Sequence, residues 1–156
     1  RYKGLMEQID SEFDAKERDI TYYKALATSH RKIYERDKTA NRKYLNKALA
    51  NYQYVLELDP DNYGANYNTA INLYNEGAHG IEQIDAEAQI PTIVEIQSES
   101  IDLFREALPY MLKAYELDST RKETLIALRG IYLSLNNNEK ANEYRDLLRE
   151  TQQTNK

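Results

Sequence analysis

The chain has no cysteine and no tryptophan, and among its 156 residues only five glycines, three prolines, two histidines and two phenylalanines. Without cysteine there can be no disulfide scaffold, no thiolate-held zinc and no thiol nucleophile, and the compartment is left open. Few glycines and prolines mean few obligatory breaks, so the elements between them are expected to be long. No apolar run approaches the ~18 residues a membrane-spanning helix needs, and nothing near Arg1 has the layout of a signal peptide. Because it begins at Arg1 rather than Met, the sequence reads as an excised piece. An excess of basic side chains is missing too: 26 acidic against 21 basic residues leave a net charge of −5, which disfavours sequence-independent phosphate binding.

What is present is helical periodicity. Leu5, Ile9 and Phe13 share one face; Ile20, Tyr23, Leu26, Ala27, His30 and Tyr34 form a second stripe; Tyr44, Ala48, Tyr52, Val55 and Leu56 form a third. No strand-like alternation occurs, so the fold class is all-α. Breaks rich in turn and capping residues fall at Asp59-Pro60-Asp61-Asn62, Ile90-Pro91-Thr92, Asp118-Ser119-Thr120 and Asn136-Asn137-Asn138, giving about seven helical segments.

The chain also repeats itself. Glu57-Leu58-Asp59-Pro60 returns as Glu116-Leu117-Asp118-Ser119, each phrase closing a helix with an alanine upstream, Ala48 and Ala107, and Ala141 follows Ala107 by 34 residues. First helices read Tyr23, Leu26, Ala27, His30; Asn66, Thr69, Ala70, Leu73; and Leu125, Leu128, Arg129, Tyr132. Second helices read Ala48, Tyr52, Val55, Pro60; Ala107, Met111, Ala114, Ser119; and Ala141, Arg145, Leu148. With these residues over about 20–150, the chain resembles the tetratricopeptide repeat (TPR) family, whose period is 34. The resemblance implies an α-α superhelix of about three helix hairpins. Small residues such as Ala27 and Ala48, or Ala70 and Ala107, would face each other and let the helices approach.

Read this way, 1–156 is a single domain: 1–17 as the second helix of a truncated preceding repeat, 20–60 as repeat 1, 63–119 as repeat 2, 122–150 as repeat 3 and 151–156 as a tail. Arg129 departs from the pattern at a small-residue position, with Gly130 beside it. Ala48 and Ala107 lie 59 apart, 25 more than one period of 34, which places an insertion inside repeat 2 whose extra segment, about 78–97, is helical in pattern. Both helices of that hairpin should lengthen and protrude, turn at Pro91, and kink at Pro109. A second, shorter lengthening runs through Arg36 to Arg42. These features are similar to those of a group of bacterial TPR proteins with an extended middle hairpin, which are commonly exported. That similarity leans towards an exported or periplasmic location.

Catalysis has no positive signal: no phosphate-binding glycine loop, zinc-protease motif or dinucleotide fingerprint occurs, and no cofactor is implied. Glu76-x-x-His79 has di-metal spacing but lacks a second pair, so it reads as a solvated helix end at Gly77 and Gly80, and no metal site is expected. His30 stands where the family packs a tyrosine and reads as structural. Tyrosine is the compositional signal, with 14 copies. The resemblance implies that the inner face of the first helices binds a protein or peptide partner through Tyr67, Asn68, Ile71, Tyr74 and Asn75, with Lys24 and Thr28 from the preceding repeat and Ile126 from the next. The family's carboxylate clamp is incomplete, because Ile71, Ile126 and Ala127 replace polar clamp residues.

Charge is also segregated. Residues 31–47 carry seven basic against two acidic side chains, and 82–106 seven acidic against one basic. This division raises two alternatives to a peptide-binding scaffold, polyanion or nucleic-acid binding through 31–47 and self-association through the protruding hairpin; a regulatory helical segment of a larger enzyme is a separate alternative.

Overall fold

In the computed structural model, the backbone of residues 2–153 and the side chains of residues 11–151 are described. Six helices and no strand occur among the described residues: α1 (Tyr2–Arg36), α2 (Arg42–Leu58), α3 (Tyr63–Glu82), α4 (Ile90–Leu117), α5 (Lys122–Ser134) and α6 (Asn138–Gln153). The chain divides into two compact units, Arg1–Ala65 and Asn66–Lys156.

The first unit is the α1–α2 hairpin followed by the first residues of α3. Helix α1 runs unbroken for 35 residues, so the predicted boundary between a truncated repeat ending at 17 and a new helix at 20 is absent. The intervening Ser11–Asp19 stretch contains no Gly or Pro, and it sets Glu12 four residues before Lys16 and Asp14 four before Arg18. Such pairs support a helix without any core, by about 0.2–0.5 kcal/mol each. Of the predicted Leu5–Phe13 stripe, Leu5 and Ile9 lie outside the described side chains, and Phe13 is exposed.

Ala27 and Ala48 are both fully buried, as are Tyr52 and Val55 on α2. His30 lies between the hairpin's helices. Its ring is 5.8 Å from that of Tyr44, and its Nδ1 is 3.1 Å from Asn51 Nδ2. Asn62 ends the α2–α3 turn as a helix cap: its Oδ1 accepts from the Ala65 N–H at 3.1 Å, and its own amide donates to Asp59 Oδ2 at 3.1 Å.

In the second unit α3 meets α4 at a close approach made by glycine. A methyl group on Gly77 would lie 2.7 Å from Phe104 Cε1 and 3.0 Å from the Ser100 carbonyl, and one on Gly80 would lie 3.2 Å from Ser100 Oγ. The solvated helix end expected at these glycines is therefore replaced by a buried crossing. Gly77 is buried, Glu76 is nearly so, and α3 continues to Glu82.

Helices α3 and α4, with 20 and 28 residues, exceed α5 and α6, with 13 and 16. The segment expected as a helical insertion is not helical throughout. Residues 83–89 form a loop, because Asp85 Oδ1 takes the Glu87 N–H at 2.7 Å in a side-chain turn that competes with helix. Pro91 falls in the first turn of α4, where its missing donor is harmless. Helix α4 continues through Pro109, which lies on its exposed side.

The remaining helices stack in order, α4 on α5 and α5 on α6. Ala70, Ala107, Ala114 and Ala141 are buried, whereas Arg129 is exposed. Asp118 closes the α4–α5 turn by accepting from the Thr120 hydroxyl at 2.6 Å and from Arg121 Nε at 2.9 Å. The Thr120 hydroxyl first, then Arg121, holds its carboxyl below the usual range. The α5–α6 turn is a left-handed helix stop at Asn136 (φ 58°), with Asn137 N–H on the Tyr132 carbonyl and Asn136 N–H on the Leu133 carbonyl. Of the predicted 151–156 tail, 151–153 continue α6 and the rest lies outside the described residues.

Three tyrosines join α4, α5 and α6. The Tyr144 ring stacks on Tyr132 at 5.7 Å and meets Tyr115 edge-on at 5.6 Å. Burial, and then the neighbouring Tyr132 and Tyr115 phenols, push the Tyr144 phenol from 10.0 up to about 12. A raised acid pKa means the folded state prefers the neutral phenol. That contribution is complete below the ordinary value of 10.0 and is lost as pH rises through about 12. Urea unfolding in this alkaline window should therefore show a steeper loss of stability for the parent chain than for Tyr144→Phe. Parallel pH profiles would contradict this assignment.

Candidate functional site

The predicted partner-binding residues divide between the two units. Lys24 and Thr28 belong to the first. The Thr28 hydroxyl donates to the Lys24 carbonyl at 2.9 Å and lies 3.4 Å from the Tyr52 hydroxyl, so it is engaged within the α1–α2 hairpin. Lys24 extends over the start of α3, its Nζ 3.4 Å from where a methyl on Gly64 would stand. It lines a cleft of about 450 Å³ with Phe13, Lys16, Ile20, Asp59 and Asn62, which sequence reasoning missed. The signal was the spacing of Phe13, Lys16, Ile20 and Lys24, which sets them on one face of α1.

Tyr67, Asn68, Ile71, Tyr74 and Asn75 lie along α3 in the second unit, all half-buried. Tyr67, Ile71 and Tyr74 follow i, i+4, i+7 spacing and so share a stripe, with Asn68 and Asn75 beside it. The Asn68 carbonyl accepts from Asn72 Nδ2 at 2.8 Å. Tyr74 is more than a surface residue. Its ring is 5.3 Å from Phe104 on α4, and its hydroxyl oxygen is 3.2 Å from where a methyl on Gly130 of α5 would stand. The absent side chain at Gly130 makes room for the phenol.

Gly130 also locates the neighbouring stripe. Ile126, Gly130 and Leu133 occur at i, i+4, i+7 on α5, with Ile126 57% and Leu133 47% exposed. Two stripes with apolar members, one per helix, therefore adjoin at the Tyr74–Gly130 contact. Leu133 and Gly130 were not among the predicted site residues. Their signal was the spacing from Ile126, obscured because the repeat register drew attention to Arg129.

The basic stretch lies at the loop end of the first hairpin, where Lys43 and Lys47 each place Nζ 5.3 Å from the centre of the Tyr44 ring. Among the described residues, no group of three or more His, Asp or Glu side chains is placed to hold a metal ion. Nor is any helix long and apolar enough to cross a membrane. No family model matches the chain, and no curated protein matches it in sequence.

Proposed function

We propose that the chain is a short helical-repeat array of TPR type that acts as a non-enzymatic protein-interaction scaffold, holding a segment of a partner protein on the α3–α5 face of its second unit. The observation carrying this reading is the pair of adjoining stripes: Tyr67, Ile71 and Tyr74 on α3, Ile126 and Leu133 on α5, with Asn68 and Asn75 alongside. Rigid aromatic and branched side chains supply contact area at low entropic cost, while amides match the donors and acceptors of a bound backbone. Lys24 and Thr28, in the first unit, are not part of this proposed face.

The test uses Tyr67→Ala combined with Ile126→Ala, because Ile126 is exposed and Tyr67 avoids the core contacts of Tyr74. In affinity capture from the native host, the double variant should retain at least roughly tenfold less of the captured partner than the parent, the loss expected on truncating central anchors. Its helical circular dichroism should be unchanged. Equal capture by parent and variant would remove the support for this face.

A further inference from the structure

Two surfaces of opposite charge each violate the local rules of helix stability, and each supplies what the other lacks. The first is the loop end of the α1–α2 hairpin. Lys32 and Arg36 stand one turn apart at the end of α1, and Lys43 and Lys47 one turn apart at the start of α2, all four exposed. Like charges at i, i+4 repel, and cations at a helix N-terminus oppose its dipole. Helix α2 nevertheless opens on Arg42-Lys43 with no acidic residue in its first turn. Its N-cap residue Asn41 makes no side-chain cap bond, and instead gives its amide to the Ile33 carbonyl at 3.0 Å. Positive charge is concentrated where the helix by itself would favour acid, and the Tyr44 ring between Lys43 and Lys47 holds it in place.

The second surface is on α4. Glu95, Glu99, Asp102 and Glu106 follow i, i+4, i+7, i+11 spacing, so they form one stripe, and all are exposed. At 1.5 Å per residue the stripe is roughly 16 Å long. Asp102 pairs with Arg105 at 3.1 Å, and among the described residues Glu95, Glu99 and Glu106 have no basic partner. Glu95–Glu99 and Asp102–Glu106 are again like-charge pairs one turn apart. Ile90 and Val94, 76% and 57% exposed, lie at the start of the same helix.

We infer that the basic end of the α1–α2 hairpin of one molecule docks on the acidic α4 stripe of a second copy of the chain. Contact between the patches relieves four self-repelling pairs at once, and each patch is present once per molecule, so the stoichiometry is built in. A foreign polyanion would satisfy the basic end alone and leave the α4 stripe repelling it. The contact is heterologous, one kind of patch against another. It uses none of the residues of the proposed α3–α5 face, so the two readings stand or fall separately.

Sedimentation velocity of the full chain over a wide concentration range tests this. At low salt the weight-average sedimentation coefficient should rise with concentration, and the rise should vanish near about 1 M salt, where charge interactions beyond about 3 Å are screened. The charge reversals Lys43→Glu/Lys47→Glu and Glu95→Lys/Glu99→Lys should each weaken self-association at least tenfold with unchanged circular dichroism. An equimolar mixture of the two variants should associate again, because each retains the patch the other has lost. A parent chain that stays monomeric at every concentration overturns the inference, and so does association insensitive to both reversals. Association that strengthens with salt also overturns it, by assigning the contact to Ile90 and Val94. So does salt-sensitive heparin retention by a strictly monomeric parent, which would assign the basic end to a polyanion.

Discussion

Phe104→Ala is expected to lower the unfolding free energy by about 3–5 kcal/mol, the range for emptying a buried aromatic site. Phe104 is 2% exposed and fills the crossing of α3 and α4, with the Tyr74 ring 5.3 Å away and the backbone of Gly77 against its edge. Collapse around the cavity is limited because the facing residue is glycine, which has no side chain to move in. The same geometry makes Gly77→Ala destabilising despite the gain of about 1 kcal/mol in helix propensity. The new methyl would stand 2.7 Å from Phe104 Cε1 and 3.0 Å from the Ser100 carbonyl, and overpacking of this kind costs about 1–3 kcal/mol. Combined, the substitutions should not add, since the methyl enters the space vacated by the ring. A coupling of about 0.5–3 kcal/mol in the favourable direction is expected in urea titrations of the four chains. Strict additivity would show that Gly77 and Phe104 do not share the crossing.

The second large effect is expected from Ala48→Leu. Ala48 is 0% exposed, and with Ala27, also 0%, it belongs to the small-residue positions from which the repeat was read. Three further heavy atoms at this fully buried site should cost about 1–3 kcal/mol in overpacking. Ala50→Leu, two residues along and exposed, provides the control. Leu and Ala have similar helix propensities, so the surface substitution should stay within about 0.5 kcal/mol of the parent. A thermal melt in which both variants shift equally would show that position 48 demands no small side chain.

Much of this was legible in the residue pattern. The turns after Arg36, Leu58, Leu117 and Ser134 lie where Asp and Asn occur, because those side chains accept from backbone N–H groups left open at the turn. The long α1 was less legible. Its apolar stripe thins out between Phe13 and Ile20, which read as a boundary, yet backbone hydrogen bonding and charge pairs carry a helix across a stretch with no core to cover. The 83–89 loop was missed in the opposite sense. Ile81, Ile84 and Ala88 keep helical spacing, but one Asp85 side chain diverts the backbone. Glycine misled most, since Gly77 and Gly80 have the same letters whether a helix ends in water or is pressed against another.

At the proposed face, the α3 residues and Ile126 could be named from sequence because the family resemblance implies that the inner face of the first helices carries the site. That Tyr74 is anchored into the packing of α4 and α5, and that Leu133 extends the stripe, could not.

The amino-acid order by itself determined that the chain is helical and where most of its turns fall, because each depends on neighbours within about one helical turn. Tertiary structure alone decided which faces meet: Gly77 on Phe104, Tyr74 at Gly130, Tyr144 on Tyr132. Periodicity marks a face as buried, whereas its partner lies many residues away and is selected by how side-chain volumes fit together.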